Sequence, residues 1–136
     1  MNAVYGYAVV FLGAGIGGAL RHAINLLTLP SGRAFPLGTM AVNVLGGLAM
    51  GAVAGWFMPD SAVSHIRPYF AGEAGQRVRL FLTTGVLGGF TTFSAFSLDA
   101  ALMIERGKWG VALLYAVASV TLSVAGLFLG LALTRQ

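Results

Sequence analysis

Cysteine, histidine and charge are all scarce in this chain of 136 residues. There is no cysteine, so a disulfide framework and thiol chemistry are excluded. The two histidines, His22 and His65, have no carboxylate or second histidine at helical spacing, which argues against a transition-metal site. Eight lysines and arginines and four acidic residues are present, whereas about a quarter of a soluble domain is normally charged. Water is therefore not the main solvent of this protein.

What the chain has instead is apolar sequence, which makes up 57% of its residues. The apolar residues form runs long enough to cross a bilayer as helices, which takes about 20 residues each. Charges, prolines and glycines delimit four such spans, at about 5–29, 37–57, 80–104 and 109–133, with a polar loop from Met58 to Arg79. Because lipid cannot satisfy backbone polar groups, each span must be helical where it faces lipid. We predict one all-α integral membrane domain over residues 1–136, without a removable signal peptide.

Positive charge is balanced across the predicted membrane. Four spans place both termini and the long loop on one side, with Arg67, Arg77, Arg79 and Arg135. The other side carries Arg33, Arg106 and Lys108, together with Arg21 if it reaches the interface. An excess of lysine and arginine normally sets orientation, so the balance predicts a dual-topology, antiparallel homodimer. The alternative is that the charges of one loop dominate and fix a single orientation.

Several classes of function are disfavoured because the spans lack the side chains that those functions require. No carboxylate lies near a span centre, which argues against proton-coupled transport, and no nucleophile, base and orienting group occur together, so we predict no enzyme. Basic residues are scattered singly at span ends, which does not suggest a nucleic-acid partner. Every span also has glycines four residues apart, a pattern that favours close helix packing and oligomerisation: Gly13 and Gly17; Gly47, Gly51 and Gly55; Gly85 and Gly89; Gly126 and Gly130.

Polar residues at membrane depth are the first candidates for a functional site. Thr39 and Asn43 lie four residues apart in GTMAVNVLGG, and an amide in hydrocarbon requires another helix or a wet cavity as its partner. Tyr115 and Ser119 have the same spacing and either extend a polar track or bond between helices. Arg21, near the end of the first span, either snorkels to the interface or stands at a pore mouth.

The third span contains GGFTTFSAFS, residues 88–97, where the spacing becomes specific. On a continuous helix, residues three apart share one face, so this segment predicts two adjacent stripes. The phenyl stripe is Phe90, Phe93 and Phe96, and the hydroxyl stripe is Thr91, Ser94 and Ser97, with Thr92 outside both.

The same segment is a candidate for a helix break. Each of the adjacent glycines, Gly88 and Gly89, costs a helix about 1 kcal/mol relative to alanine, and the threonines add mild disfavour. A break would free carbonyl oxygens at membrane depth, where they could ligate a small cation as in the broken helices of transporters. The alternative is a continuous helix whose glycines serve packing.

GTMAVNVLGG and GVLGGFTTFSAFS resemble the two signature stretches of the bacterial fluoride channel family, the Fluc or CrcB proteins, and the likeness covers essentially the whole chain. The resemblance implies an antiparallel dimer of four-helix subunits in the bacterial plasma (inner) membrane, with a broken third helix and two fluoride pathways. It implies that Gly88 and Thr91 offer main-chain carbonyls to a structural sodium ion at the dimer interface. It also implies a set of pathway residues: Asn43, Phe93, Phe96, Thr92, Ser94, Ser97, Tyr115 and Ser119, with Arg21 near a vestibule.

We therefore expect a passive, fluoride-selective channel that exports cytoplasmic fluoride and relieves its toxicity. The alternative is a small dual-topology multidrug or organic-cation exporter. Such an exporter needs a carboxylate in its first span, and none lies between Tyr5 and Leu29. A non-transporting assembly subunit is a further possibility.

Overall fold

The computed structural model describes residues 3–28, 35–58 and 72–135, which are helical apart from turns and one interruption. The first two spans are α1 (Ala3–Thr28) and α2 (Leu37–Trp56). The third consists of α3 (Gly72–Leu80), a π-helical segment (Phe81–Leu87), α4 (Gly88–Phe90) and α5 (Phe93–Glu105), and α6 (Trp109–Thr134) is the fourth. All four are long and apolar enough to cross a membrane. The all-α, multi-pass membrane fold expected from the sequence is confirmed.

The third span begins at Gly72, where the sequence suggested about Leu80. Its first two turns are polar, but a salt bridge of 2.8 Å joins Glu73 to Arg77 one turn later, and such pairs support an exposed helix. The Arg77 guanidinium also lies 4.6 Å from the ring centroid of Tyr5. Leu29, where we expected the first span to end, and residues 59–71 of the polar loop, with Arg67, lie outside the described residues.

Glycine allows α2 and α6 to pack with their backbones in contact. A Cβ on Gly47 would lie 2.5 Å from the carbonyl oxygen of Ser123, and one on Gly51 would collide with the carbonyl of Leu127. The glycine spacing seen in the sequence therefore serves packing inside one subunit at this pair of helices. This contact fixes α2 and α6 as one wall of the molecule.

Glycine also brings α1 against the third span. A Cβ on Gly13 would lie 2.8 Å from the Cα of Gly85, and one on Gly17 would collide with the carbonyl of Val86. The contact runs along the π-helical segment, whose wider turn is a local departure from α-helical geometry.

A tight turn connects α5 to α6. The N–H of Lys108 donates to the carbonyl of Met103, and that of Gly107 to Ile104, both at 2.9 Å. This is a Schellman motif, in which Gly107 takes a left-handed conformation at φ +72°. The turn folds α6 back along α5, so that the rings of Phe96 and Tyr115 stack with centroids 5.2 Å apart.

The break in the third span lies at Thr91 and Thr92. Both residues are extended, with ψ of 155° at Thr91 and 114° at Thr92. The expectation of a broken third helix is therefore confirmed. Gly88 and Gly89, however, remain helical, and Gly89 serves packing, because a Cβ there would lie 2.5 Å from the carbonyl oxygen of Ala14.

The break also divides the two stripes predicted for a continuous helix. Phe90 lies before the break, and Thr91 lies in it, whereas Phe93, Phe96 and the two serines follow on α5. The extended residues change the direction of the chain, so the threefold spacing does not carry across them. One continuous phenyl stripe and one continuous hydroxyl stripe are therefore not formed.

Candidate functional site

The site is organised by the amide of Asn43 on α2, which pairs with the backbone of Thr92 at the break. The N–H of Thr92 donates to Asn43 Oδ1 at 2.8 Å, and Asn43 Nδ2 donates to the carbonyl of Thr92 at 3.1 Å. The side chain thereby satisfies both backbone groups of a residue that has left the helix, which would otherwise be costly at membrane depth. One N–H of the amide remains available, since a carboxamide has two.

Thr92 also begins the helix that follows. Its hydroxyl accepts from the N–H of Ala95 at 3.2 Å, which makes it the N-cap of α5. The hydroxyls of Thr92 and Ser94 lie 3.2 Å apart. Thr92 is buried, so its backbone and side chain are both fixed by neighbouring groups.

These bonds leave particular carbonyls without their helical partners. In a continuous helix the carbonyl of Gly88 would accept from Thr92, and that of Thr91 from Ala95. Those two N–H groups donate instead to Asn43 and to the Thr92 hydroxyl. The hydroxyl and N–H of Thr91 both donate to the carbonyl of Leu87, at 2.9 and 3.0 Å. The carbonyls of Gly88 and Thr91 are therefore among those that the break releases, together with those of Gly89 and Phe90, whose helical partners would be the N–H groups of Phe93 and Ser94.

Beside the Asn43–Thr92 pair lies an open groove with a volume of about 380 Å³, here called the Asn43 groove. Its walls come from α2, the break, the start of α5 and the middle of α6. Its lining includes Asn43, Met50, Thr92, Phe93, Phe96 and Ser119, with Ser123 one turn beyond Ser119. Among its described lining residues none carries a charge.

Two serine hydroxyls on α6 face this groove with unused hydrogen-bonding capacity. Ser119 Oγ and Ser123 Oγ are both buried and make no hydrogen bond with a described residue. Ser119 lies near the Tyr115 hydroxyl, but the contact does not have hydrogen-bond geometry. Buried hydroxyls are normally satisfied, so these two have unmet hydrogen-bonding capacity at the wall of the groove.

Aromatic rings form the opposite wall. The centroids of Phe93 and Phe96 are 5.5 Å apart with the rings tilted by 39°. Phe96 continues onto Tyr115, which is fully buried and contacts the edge of Phe35 at 5.5 Å. Phe93 is 78% exposed in the single chain, so this wall is open on one side.

Four of the predicted pathway residues lie outside the Asn43 groove. Ser97 donates to the carbonyl of Phe93 at 2.9 Å on the exposed side of α5, and Ser94 is exposed beside Thr92. The hydroxyl of Tyr115 donates to Asp99 at 3.4 Å. Arg21 is partly exposed on α1 and does not line the groove.

The main groove residue that sequence reasoning missed is Ser123. It follows Ser119 by four residues, as Ser119 follows Tyr115, so the same helical spacing would have found it. No cluster of three or more His, Cys, Asp or Glu side chains occurs in the described ranges.

Comparisons with known proteins agree on the family. Residues 8–131 match the family described as CrcB-like protein, Camphor Resistance (CrcB). A protein of Rhodopseudomonas palustris named fluoride-specific ion channel FluC is 53% identical over 95% of this chain and 96% of its own length. Nitrobacter hamburgensis has fluoride-specific ion channel FluC 2, which is 51% identical over 96% of this chain and 97% of its own. The likeness extends over all four spans, and the chain belongs to the CrcB-like family.

Proposed function

We propose that this protein is a passive, fluoride-selective ion channel, not an enzyme, that lets fluoride leave the bacterial cytoplasm. The names of its relatives support this function. The observation that carries it in this chain is the pair of buried, unpartnered hydroxyls of Ser119 and Ser123 in the uncharged Asn43 groove. Hydrogen fluoride enters cells as a neutral molecule and ionises inside, and an open channel then returns the anion down its electrochemical gradient.

The groove chemistry suits a small, strongly hydrated anion. Fluoride must exchange its water for other donors, which the two serine hydroxyls and the remaining N–H of Asn43 can provide. Phenyl rings present a positive edge, so Phe93 and Phe96 can contact an anion through their edges. Because the described lining of the groove contains no cationic side chain, binding stays weak enough for the ion to leave, as conduction requires.

The pathway continues beyond the groove in this proposal. On α6, Tyr115 lies one turn before Ser119 and two turns before Ser123. On α5, Ser94 and Ser97 follow the N-cap residue Thr92. The hydroxyls of Ser97 and Tyr115 donate to Phe93 and Asp99 in the single chain, and in this proposal they turn from these acceptors to the passing anion. Arg21 on α1 is assigned to a vestibule, where an exposed guanidinium would attract anions without trapping them.

The functional unit is proposed to be an antiparallel homodimer. The balance of positive charge supports insertion in both orientations, and the exposed ring of Phe93 and open side of the groove provide a face for a second copy. Because the chain has no cysteine, Gly110→Cys introduces a single thiol at an open position. In intact cells, an impermeant maleimide should label about half of the copies if both orientations occur. Labelling of all copies or none would contradict the antiparallel arrangement.

A structural sodium ion at the dimer interface is part of the same proposal. The released carbonyls of Gly88 and Thr91 support it, since carbonyl oxygens suit hard cations and Gly88 is exposed on the surface of the single chain. Two antiparallel copies would bring together four such oxygens. When bound, the ion would supply positive charge to neutralise these converging dipoles.

Fluoride release from liposomes tests the function. Reconstituted protein should release fluoride once valinomycin allows potassium to follow, as recorded with a fluoride electrode, and Phe93→Ile should slow that release strongly. Lack of release by the wild type would overturn the proposed function. The alternative of an organic-cation exporter is disfavoured because α1 contains no carboxylate.

A further inference from the structure

A second groove lies at the end of the molecule where α2 and α6 finish and the third span begins. Its volume is about 370 Å³, and we call it the Arg79 groove. Its described walls are Met50, Ala54, Phe57, Met58, Arg79 and Thr83. The side chains are apolar except for Thr83 and the guanidinium of Arg79. The hydroxyl of Thr83 already donates a hydrogen bond to the carbonyl of Arg79 at 2.8 Å. The Arg79 guanidinium is therefore the described polar group of this groove that can interact with an ion.

The two grooves meet at one residue. Met50 on α2 lines both the Asn43 groove and the Arg79 groove. Met58 follows Met50 by eight residues, which corresponds to about 12 Å along the axis of a helix. The Arg79 groove therefore extends from the candidate pathway toward the membrane surface.

The three arginines near this mouth differ in their carboxylate partners among the described residues. Arg77 has a carboxylate partner, Glu73, at 2.8 Å, but no such ion pair is found for Arg79 or Arg135 within residues 3–28, 35–58 and 72–135. The guanidinium of Arg135 donates to the sulfur of Met58, with Nη2 at 2.9 Å and Nε at 3.3 Å. Met58 thus shares the groove lining with Arg79 and contacts Arg135, two arginines for which the described residues supply no carboxylate partner.

From this arrangement we infer that the Arg79 groove is the anion entrance of the pathway, and that Arg79 is a positioning residue that concentrates fluoride at the mouth. The inference rests on the proposed function. A cleft with walls of low dielectric focuses the field of its charges and raises the local concentration of counter-ions. The charge is exposed and lies outside the Asn43 groove, so it attracts the anion without holding it at depth.

Ionic strength separates this role from a structural one. Screening extends over about 30 Å at 0.01 M salt and about 3 Å at 1 M. Fluoride release should therefore fall about two- to fivefold in Arg79→Gln at about 0.01 M ionic strength, the size expected from one charge at contact distance in water. At about 1 M ionic strength, set with potassium gluconate, Arg79→Gln and wild type should release fluoride equally.

The double variant Glu73→Gln/Arg77→Gln is the matched control, on the same helix as Arg79. It removes one charge of each sign from the ion pair and leaves the net charge unchanged, so it should release fluoride at the wild-type rate at both ionic strengths, as should Arg79→Lys. Equal release by Arg79→Gln and wild type at low ionic strength would overturn the inference. So would a deficit in Arg79→Gln that persists at high ionic strength or that Arg79→Lys shares. Failure of the wild type to release fluoride would instead overturn the proposed function.

Discussion

Asn43 and Thr92 are joined by two reciprocal hydrogen bonds, although they lie 49 residues apart in the chain. The amide of Asn43 takes the place of the helical partners that Thr92 loses. One side chain on α2 therefore stabilises the break in the third span and still has an N–H for the groove. This relationship connects the shape of the backbone to the chemistry of the site.

Asn43→Asp tests that dual role. The carboxylate can still accept from the N–H of Thr92, but it cannot donate, and it places a negative charge in the groove. A like charge at about 4 Å costs a permeating anion about 4 kcal/mol in a partly buried site, so fluoride release should fall at least about a hundredfold.

Asn25→Asp provides the control for this prediction, because Asn25 lies on α1 away from the Asn43 groove. It should retain most fluoride release. Wild-type release by Asn43→Asp in correctly assembled protein would contradict the role given to Asn43.

The N-cap hydrogen bond of Thr92 should contribute to the free energy of unfolding. Thr92→Ala removes the acceptor for the N–H of Ala95 and should lower the free energy of unfolding by about 0.5–2 kcal/mol. Thr92→Ser keeps an oxygen at the cap and should lose much less. Denaturant titration in detergent micelles measures both, and equal stability of Thr92→Ala and wild type would argue against the cap.

Ser119 and Ser123 should affect transport without affecting stability. Neither hydroxyl bonds to a described residue, so Ser119→Ala and Ser123→Ala break no internal hydrogen bond and should leave the free energy of unfolding nearly unchanged. Each should slow fluoride release about tenfold, the equivalent of about 1.4 kcal/mol of lost donation to the ion.

Thr121→Ala is the hydroxyl control on the same helix, since Thr121 is exposed and lies outside the groove lining. It should release fluoride at the wild-type rate. A loss of stability in the two serine variants, with unchanged release, would assign them a structural role instead.

The contact between α1 and the third span depends on Gly17. A Cβ at this position would collide with the carbonyl of Val86 and lie 2.7 Å from the nitrogen of Phe90. Because both neighbours are backbone, Gly17→Ala should destabilise the protein by about 1–3 kcal/mol. Gly18→Ala, where the added methyl meets open space, should be neutral or stabilising by up to about 1 kcal/mol. Thermal unfolding in detergent compares the pair, and similar midpoints would contradict the packing described.

Composition and periodicity were enough to predict the four spans, but not the start of the third. The polar turns after Gly72 have the same composition as a loop, and only their contacts distinguish them. Two of these contacts involve Arg77, which forms a salt bridge with Glu73 and places its guanidinium over the ring of Tyr5. Hydropathy therefore located the membrane part of this helix but not its polar extension.

The break was predictable in kind but not in position. Gly88 and Gly89 weaken a helix intrinsically, but the approach of Ala14 gives Gly89 a packing role. The break lies at the threonines because Asn43 and the Thr92 hydroxyl replace the lost helical bonds. Those partners depend on tertiary contacts, which local propensity does not contain.

Anion selectivity in a single preparation shows whether the protein is a fluoride-selective channel. Liposomes that contain the reconstituted protein and equal concentrations of potassium fluoride and potassium chloride are treated with valinomycin, and both anions are followed with ion-selective electrodes. We expect rapid release of fluoride and retention of chloride, with both anions retained in protein-free liposomes. Retention of fluoride, or release of chloride at the same rate, would contradict a fluoride-selective channel.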